Sequence, residues 1–201
     1  MNRRRRLLAA LAGLAGAAWL PGCDRVASSR RTFHTVDITG AELGTEFRVP
    51  DHRGGARGIT DFRGRVVVLA FGYTHCPDMC PTTLADLATV VRSLGPDGGR
   101  VQVLFLTIDP KRDSAELLAR YVPAFHPDFI GLRADPAETT RIAKAYKIFV
   151  SEVPGRTPES YTVDHSTQML AFDGAGRLRL LIPHATPAEK IAADLRLLLN
   201  S

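Results

Sequence analysis

The chain has 201 residues, 45% of them hydrophobic, and a formal net charge of +5. This composition predicts one globular domain and excludes collagen-like, low-complexity and wholly disordered chains. The 26 Lys and Arg residues include four consecutive arginines near the start of the chain, Arg3 to Arg6. Without these four, the chain has 22 basic and 21 acidic residues. Because a nearly neutral body offers no basic patch for a phosphate backbone, we exclude nucleic-acid binding.

Residues 1–23 resemble a targeting leader, because a basic start is followed by the apolar run Leu7–Leu20. This run is shorter than the ~20 apolar residues that span a bilayer comfortably, so a cleaved leader and an uncleaved anchor are both open. The stretch Leu20–Cys23 resembles the lipobox of bacterial lipoproteins, which makes Cys23 a lipidation candidate. Such a leader predicts a protein held at the periplasmic face of the inner membrane, in a bacterial cell envelope.

Residues 24–58 are polar and rich in glycine, which predicts a tether with a short edge hairpin between Thr35 and Pro50. From residue 59 to residue 201, short apolar runs alternate with amphipathic stretches, as is typical of one α/β domain. The first run, Val66–Phe71, predicts a strand that is buried on both faces.

A helix follows that strand, because apolar residues recur at intervals of three and four between Thr82 and Leu94. The later elements follow in chain order: a strand Val101–Thr107, a helix capped by Asp113 and ending at Tyr121, a strand Phe129–Leu132, a helix from Asp135 to Tyr146, an irregular stretch Thr157–Val163, a hairpin formed by Thr167–Phe172 and Leu178–Ile182, and a helix Pro187–Leu199 capped by Thr186. This order predicts a thioredoxin-like three-layer α/β sandwich, in which helices flank a central mixed β-sheet.

Cys76 and Cys80 are the two cysteines that remain once Cys23 is assigned to the leader. They lie four residues apart where a strand meets a helix, and a helical turn would put their Cα atoms about 6 Å apart on one face. The spacing permits a two-thiolate metal site, a reversible disulfide or a structural bridge. A bridge closing so short a loop would stabilise the fold little. Since a helix N-terminus favours the thiolate, we interpret the pair as functional.

Four blocks of sequence resemble the Sco/SenC family of copper chaperones. They are residues 71–81 (FGYTHCPDMCP), 107–113 (TIDPKRD), 125–132 (FHPDFIGL) and 161–166 (YTVDHS). The resemblance extends from about Asp61 to Leu199 and implies a thioredoxin-like fold. It also implies one copper ion per chain, as Cu(I), Cu(II) or each in turn, bound by Cys76, Cys80 and His165.

The donor types agree with that implied site. Thiolates are soft ligands that suit Cu(I), and an imidazole suits either oxidation state of copper. Three ligands also leave an open position, as an ion that must be handed over requires, whereas structural zinc takes four. Asp78, between the cysteines, and Asp164, beside His165, are predicted to adjust the site from outside the ligand set.

The resemblance implies that the protein delivers copper to the dinuclear copper site of cytochrome c oxidase during assembly of the respiratory chain. Its expected partners are the copper-bearing oxidase subunit, a thiol reductant or copper donor protein, and the membrane. The alternative is a tethered thiol-disulfide reductase that acts on the cysteines of the same oxidase subunit. His165 separates the two functions, because dithiol exchange requires an attacking and a resolving thiol but no imidazole.

Overall fold

The computed structural model describes residues 32–157 and 160–201, so the predicted leader, including Cys23, lies outside the described residues. The helices of the described part are α1 (Met79–Ser93), α2 (Ala115–Tyr121), α3 (Pro136–Ala145) and α4 (Ala188–Leu199). The strands are β1 (Val36–Asp37), β2 (Val49–Pro50), β3 (Ala56–Arg57), β4 (Val66–Gly72), β5 (Val101–Thr107), β6 (Ile130–Leu132), β7 (Val150–Val153), β8 (Thr162–His165), β9 (Met169–Phe172) and β10 (Leu178–Ile182). Within these residues, no helix has both the length and the apolar character needed to cross a membrane.

A six-stranded sheet in the order β1-β10-β9-β4-β5-β6 forms the centre of the fold. Strands β4, β5 and β6 run parallel, while β9 pairs with β4 in the antiparallel direction. Every residue of β4 and β5 is buried, as a strand covered by helices on both faces requires. The mixed sheet flanked by helices confirms the predicted thioredoxin-like sandwich.

The segment predicted as a tether contributes to this fold from residue 32 onward. Strand β1 pairs with the edge strand β10, and β2 pairs with β3 in a separate hairpin, so the expected edge hairpin between Thr35 and Pro50 takes a different form. Phe47 and Val49 are buried in the core. The fully buried carboxylate of Asp194, on α4, accepts hydrogen bonds from the N–H groups of His34 and Thr35 and from the Thr35 hydroxyl. These contacts fasten the segment to the last helix.

Two predicted helix caps differ from the observed ones. Helix α2 is capped by Ser114, whose hydroxyl accepts the N–H of Leu117 at 3.2 Å. The predicted cap, Asp113, is not used because its carboxylate accepts a hydrogen bond from the Thr107 hydroxyl. Helix α4 follows Pro187, and the Thr186 hydroxyl donates to the carbonyl of Pro183 instead of capping the helix.

The hairpin formed by β7 and β8 was not predicted, since the sequence around β8 indicated an irregular approach to His165. The two strands are antiparallel, with Val150 opposite His165 and Val153 opposite Thr162. Most residues of β7 are exposed, among them Val150 and Val153, and so is Phe149 immediately before the strand. A strand that buries so little shows no clear alternation of apolar and polar residues, which explains the missed element.

The turn between β9 and β10 holds a buried carboxylate. Asp173 is 2% exposed and accepts hydrogen bonds from the N–H groups of Ala175 and Arg177 and from the guanidinium groups of Arg177 and Arg179. Burial alone would raise the pKa of Asp173, but these donors outweigh it and lower the pKa below its usual value. The predicted hairpin turn is therefore also an electrostatic anchor.

We expect Asp173→Asn to lower the free energy of unfolding at pH 7 by about 1 to 3 kcal/mol, since bonds to a charged acceptor are lost. A carboxyl whose folded-state pKa is depressed stabilises the fold fully above the unfolded value of about 4, and this stability is lost as pH falls through the folded pKa. The variant should thus unfold with a flatter acid dependence between about pH 5 and pH 2. Urea unfolding at stepped pH measures this, with Asp97→Asn at an exposed ion pair as control. The prediction would be contradicted if the free energy of unfolding fell equally steeply with decreasing pH in Asp173→Asn and in wild type.

Candidate metal centre

The two cysteines lie where β4 passes into α1. Cys76 is in the loop before the helix, and its N–H donates to the carbonyl of Tyr73 at 3.3 Å. Cys80 is in the first turn of α1, and its N–H donates to the Cys76 sulfur at 3.4 Å. Both thiols are free. Helix α1 begins at Met79, three residues before the predicted start at Thr82, so it includes Cys80 but not Cys76. The spacing expected if one helical turn held both cysteines therefore does not apply.

Burial separates the two thiols chemically. Cys80 is 3% exposed, whereas Cys76 is half-buried. Burial raises the pKa of the Cys80 thiol, and the neighbouring Cys76 adds to this increase. For Cys80 this is opposite to the expectation that the helix N-terminus lowers the thiol pKa, because desolvation of its thiolate outweighs the helix dipole. In the absence of a metal ion, Cys80 thus holds its proton.

His165 ends strand β8 and faces Cys80. Its Nε2 lies 3.6 Å from the Cys80 sulfur. Its Nδ1 is 2.7 Å from the carbonyl of Ser166, and since a carbonyl only accepts hydrogen bonds, Nδ1 carries the proton. Burial lowers the pKa of His165, more strongly than the Ser166 carbonyl and the charge of Asp164 raise it. The ring is therefore neutral and presents the Nε2 lone pair toward the sulfur.

In the part of the chain that the structure describes, neither of the two carboxylates predicted near the site is hydrogen-bonded to a proposed ligand. Asp164 is exposed on β8, opposite Ser151, and the ring of His165 is held by Ser166 instead. Asp78 is exposed at the N-cap of α1, where its carboxylate makes no capping hydrogen bond and its carbonyl accepts the N–H of Thr82. Their predicted influence on the site is thus limited to charge, and it stays a prediction.

Two groups that hold the site were missed from the sequence. One is the carbonyl of Ser166, which no side-chain pattern reveals. The other is Tyr73, whose ring meets His165 edge to face at a centroid distance of 6.1 Å and whose hydroxyl accepts the N–H of Val163 at 3.2 Å. The sequence signal that could have identified Tyr73 is its place within residues 71–81, the block that contains both cysteines. Tyr73 joins the cysteine loop to the strand that carries the histidine.

The donors present fit a soft metal ion. Two thiols and one imidazole are the ligand types that copper prefers, and the fixed Nδ1 proton leaves Nε2 as the donor atom. Of the three candidates, Cys80 and His165 are in side-chain contact, while Cys76 contacts the backbone N–H of Cys80. Across residues 32–157 and 160–201, no three His, Cys, Asp or Glu side chains are gathered closely enough to hold a metal ion. Cys76, Cys80 and His165 are therefore neighbours, and their side chains would have to move closer together to bind one ion.

Comparison with known proteins identifies relatives along almost the whole described chain. The family model described as SCO1/SenC matches residues 36–200. The mitochondrial SCO2 homolog of Bos taurus is 37% identical over 198 residues, which cover 96% of this chain and 74% of that protein.

Solved structures agree with these relatives. Bradyrhizobium japonicum ScoI with copper bound has a TM-score of 0.72 and 33% identity, covering 78% of this chain and 99% of that one. BsSco, a member of the Sco family of cytochrome c oxidase assembly proteins in which a disulfide switch is identified, has a TM-score of 0.64 and 17% identity, covering 82% and 98%. At that identity, BsSco shows the fold alone. Copper is bound in the solved structure of Bradyrhizobium japonicum ScoI, which is 33% identical to this chain.

The comparisons contradict the predicted location in a bacterial cell envelope. The matching SCO2 homologs of Bos taurus, Mus musculus and Homo sapiens are mitochondrial proteins, not proteins of a bacterial envelope. The basic and apolar start of the chain resembles a bacterial lipoprotein leader, but leaders of other compartments also combine basic and apolar residues. The pattern therefore does not distinguish a bacterial envelope from a mitochondrion. The family itself is established by the extent of the match: the chain belongs to the SCO1/SenC family.

Proposed function

We propose that the protein binds one copper ion through Cys76, Cys80 and His165 and delivers it to the dinuclear copper site of cytochrome c oxidase. Copper is the cargo in this function. The proposal is supported by copper-bound relatives and by the donor set of this chain.

The contact between Cys80 and His165 is the observation that carries the proposal. A lone pair on Nε2, 3.6 Å from a thiol sulfur, is an arrangement in which a metal ion can replace the thiol proton. The Ser166 carbonyl fixes the ring so that this lone pair cannot turn away. Cys76 then supplies the second sulfur from the loop that precedes α1. The half-buried position of Cys76 leaves one side of the site accessible to an acceptor protein.

A second candidate function is reduction of the cysteines of the oxidase copper site. It is favoured by the unequal burial of the thiols, because an accessible Cys76 suits the attacking role and a buried Cys80 suits the resolving role. In that reaction the Cys76 thiolate attacks the client disulfide, and one client thiol leaves. Cys80 then attacks the mixed disulfide, which releases the second client thiol and leaves a Cys76–Cys80 disulfide.

The test is a Cu(I) titration of the reduced protein in competition with a chromogenic chelator, for wild type and for His165→Ala. We expect one tightly bound Cu(I) per wild-type chain and an affinity lower by at least about 100-fold in the variant, since losing only an outer partner of a ligand costs about 10- to 100-fold. Transfer is measured by adding the metal-free copper domain of the oxidase subunit, separating the two proteins and determining the copper content of each.

Either outcome assigns the function. Stoichiometric Cu(I) that moves to the oxidase domain supports the chaperone. Negligible copper binding by wild type, together with rapid reduction of the oxidase disulfide at the same rate in wild type and His165→Ala, would refute the chaperone and establish the reductase.

A further inference from the structure

The segment between β5 and α2, residues 109–113, contacts the cysteine loop through its last residue. Asp113 is fully buried, and its carboxylate accepts the Thr74 hydroxyl at 2.5 Å, the Thr74 N–H at 3.0 Å and the Thr107 hydroxyl at 2.6 Å. Nδ1 of His75 lies 3.6 Å from the same carboxylate. Thr74 and His75 immediately precede Cys76, so Asp113 fixes the backbone from which the loop thiol projects.

The same segment contacts the histidine strand through Asp109 and Arg112. Asp109, which is 3% exposed, is bonded to the Arg112 guanidinium at 2.5 Å and accepts the Tyr161 hydroxyl at 2.8 Å. Arg112 also donates to the carbonyl of Tyr161 at 2.8 Å, and its guanidinium lies over the Tyr161 ring, 3.6 Å from the centroid. Tyr161 directly precedes β8, the strand that ends at His165. These contacts fix the start of that strand.

Two buried carboxylates within five residues are costly to desolvate, and such groups are kept where their hydrogen bonds determine a specific geometry. Here Asp113 contacts the loop that carries Cys76, and Asp109 contacts the residue that precedes the strand carrying His165. The chain between them is short and is itself closed by the bond from the Asp113 N–H to the Asp109 carbonyl at 3.0 Å. The distance between the two anchoring points is therefore fixed.

We propose that residues 109–113, named here the brace, set the separation between the thiol pair and His165, with Asp113 positioning the thiols and the Asp109–Arg112 pair positioning the imidazole. This inference rests on the proposed copper site but concerns positioning residues that do not touch the metal. Thr74→Val and Tyr161→Phe form a matched pair, because each removes one hydroxyl bond to a brace carboxylate. Lys111→Gln is the control, since Lys111 lies in the brace and its ammonium forms an exposed ion pair with Glu152.

Two readouts of the metal-free protein separate the two contacts of the brace. Equilibration with reduced and oxidised glutathione gives the dithiol–disulfide constant of Cys76 and Cys80, and amide hydrogen exchange reports on β8. We expect Thr74→Val to change the dithiol–disulfide constant by about 2- to 10-fold, the effect of one net hydrogen bond, while β8 exchanges as in wild type. We expect Tyr161→Phe to speed exchange of β8 by a similar factor and to leave the dithiol–disulfide constant unchanged. Thr74→Ser, which keeps the hydroxyl, should restore the wild-type constant.

Copper binding gives the third readout. Both hydroxyl variants should weaken Cu(I) binding by about 10-fold, as expected when a ligand loses its support, whereas Lys111→Gln should bind as wild type does. If either variant fails to fold, Thr107→Val replaces Thr74→Val and Arg112→Lys replaces Tyr161→Phe. Changes in both metal-free readouts for both variants, or in neither, would overturn the brace. If wild type binds no copper, the proposed function fails, and the two metal-free readouts still decide whether the brace exists.

Discussion

Replacing Cys80 by serine is expected to abolish tight Cu(I) binding while the domain stays folded. A serine hydroxyl is a hard donor that does not ionise near neutral pH, so it cannot replace a soft thiolate. The affinity should fall by well over about 100-fold, because even the loss of an outer partner of a ligand can cost that much. Serine occupies nearly the same volume as cysteine, so the buried site keeps its packing. Chelator competition measures the affinity, and thermal melting checks the fold.

Met79→Leu is the matched control for this prediction. Met79 precedes Cys80 and carries a soft thioether sulfur, and leucine conserves its volume. We expect this variant to bind copper as wild type does, in agreement with a packing role for the thioether. If Cys80→Ser keeps wild-type affinity, or if Met79→Leu loses it, the ligand set must be revised.

Replacing Gly72 by alanine is expected to disturb the core and the metal centre together. A Cβ at this position, the last of β4, would lie 2.7 Å from the Cys80 sulfur and 2.7 Å from a ring carbon of Phe105. Both neighbours are buried and cannot move freely. Added volume of this kind in a packed core costs about 1 to 3 kcal/mol, and displacement of the sulfur should also reduce Cu(I) affinity by about 10-fold or more, as for a ligand that has lost its support.

Gly99→Ala provides the control for Gly72→Ala, because no atom lies within 4 Å of the position where its Cβ would be. It should change neither the urea midpoint nor the copper affinity. The prediction for Gly72 would be contradicted if its alanine variant unfolded at the wild-type midpoint and bound copper with wild-type affinity.

The parts of the fold that were predicted correctly are those with strong local signals. Val101–Thr107 was predicted with its observed bounds, since a run of β-branched and apolar residues interrupted only by Gln102 indicates a buried strand. Asp135 was predicted to start α3, and its carboxylate accepts the N–H of Glu138 as a helix cap does. In both cases the residue types alone determine the local structure.

The features that were missed depend on contacts between distant parts of the chain. Asp113 has the sequence signature of a helix cap, but Thr74 and Thr107 compete for its carboxylate, so Ser114 takes the capping role. The pKa of Cys80 follows from its burial in the folded core, which a helix-dipole argument does not include. The positions of the three proposed ligands along the chain were available from the sequence, but their mutual orientation required the structure.

The strand order also has a consequence for how a newly synthesised chain acquires the site. Strand β4 pairs on one side with β5, where Val67 meets Gln102, and on the other with β9, where Val67 meets Phe172. Local pairings form before distant ones, because closing a long loop costs more entropy. We therefore expect the unit that carries Cys76 and Cys80 to assemble first and the histidine to arrive later. For that interval the nascent protein presents two thiols without their imidazole, and any oxidant or metal ion present then would act on an incomplete site.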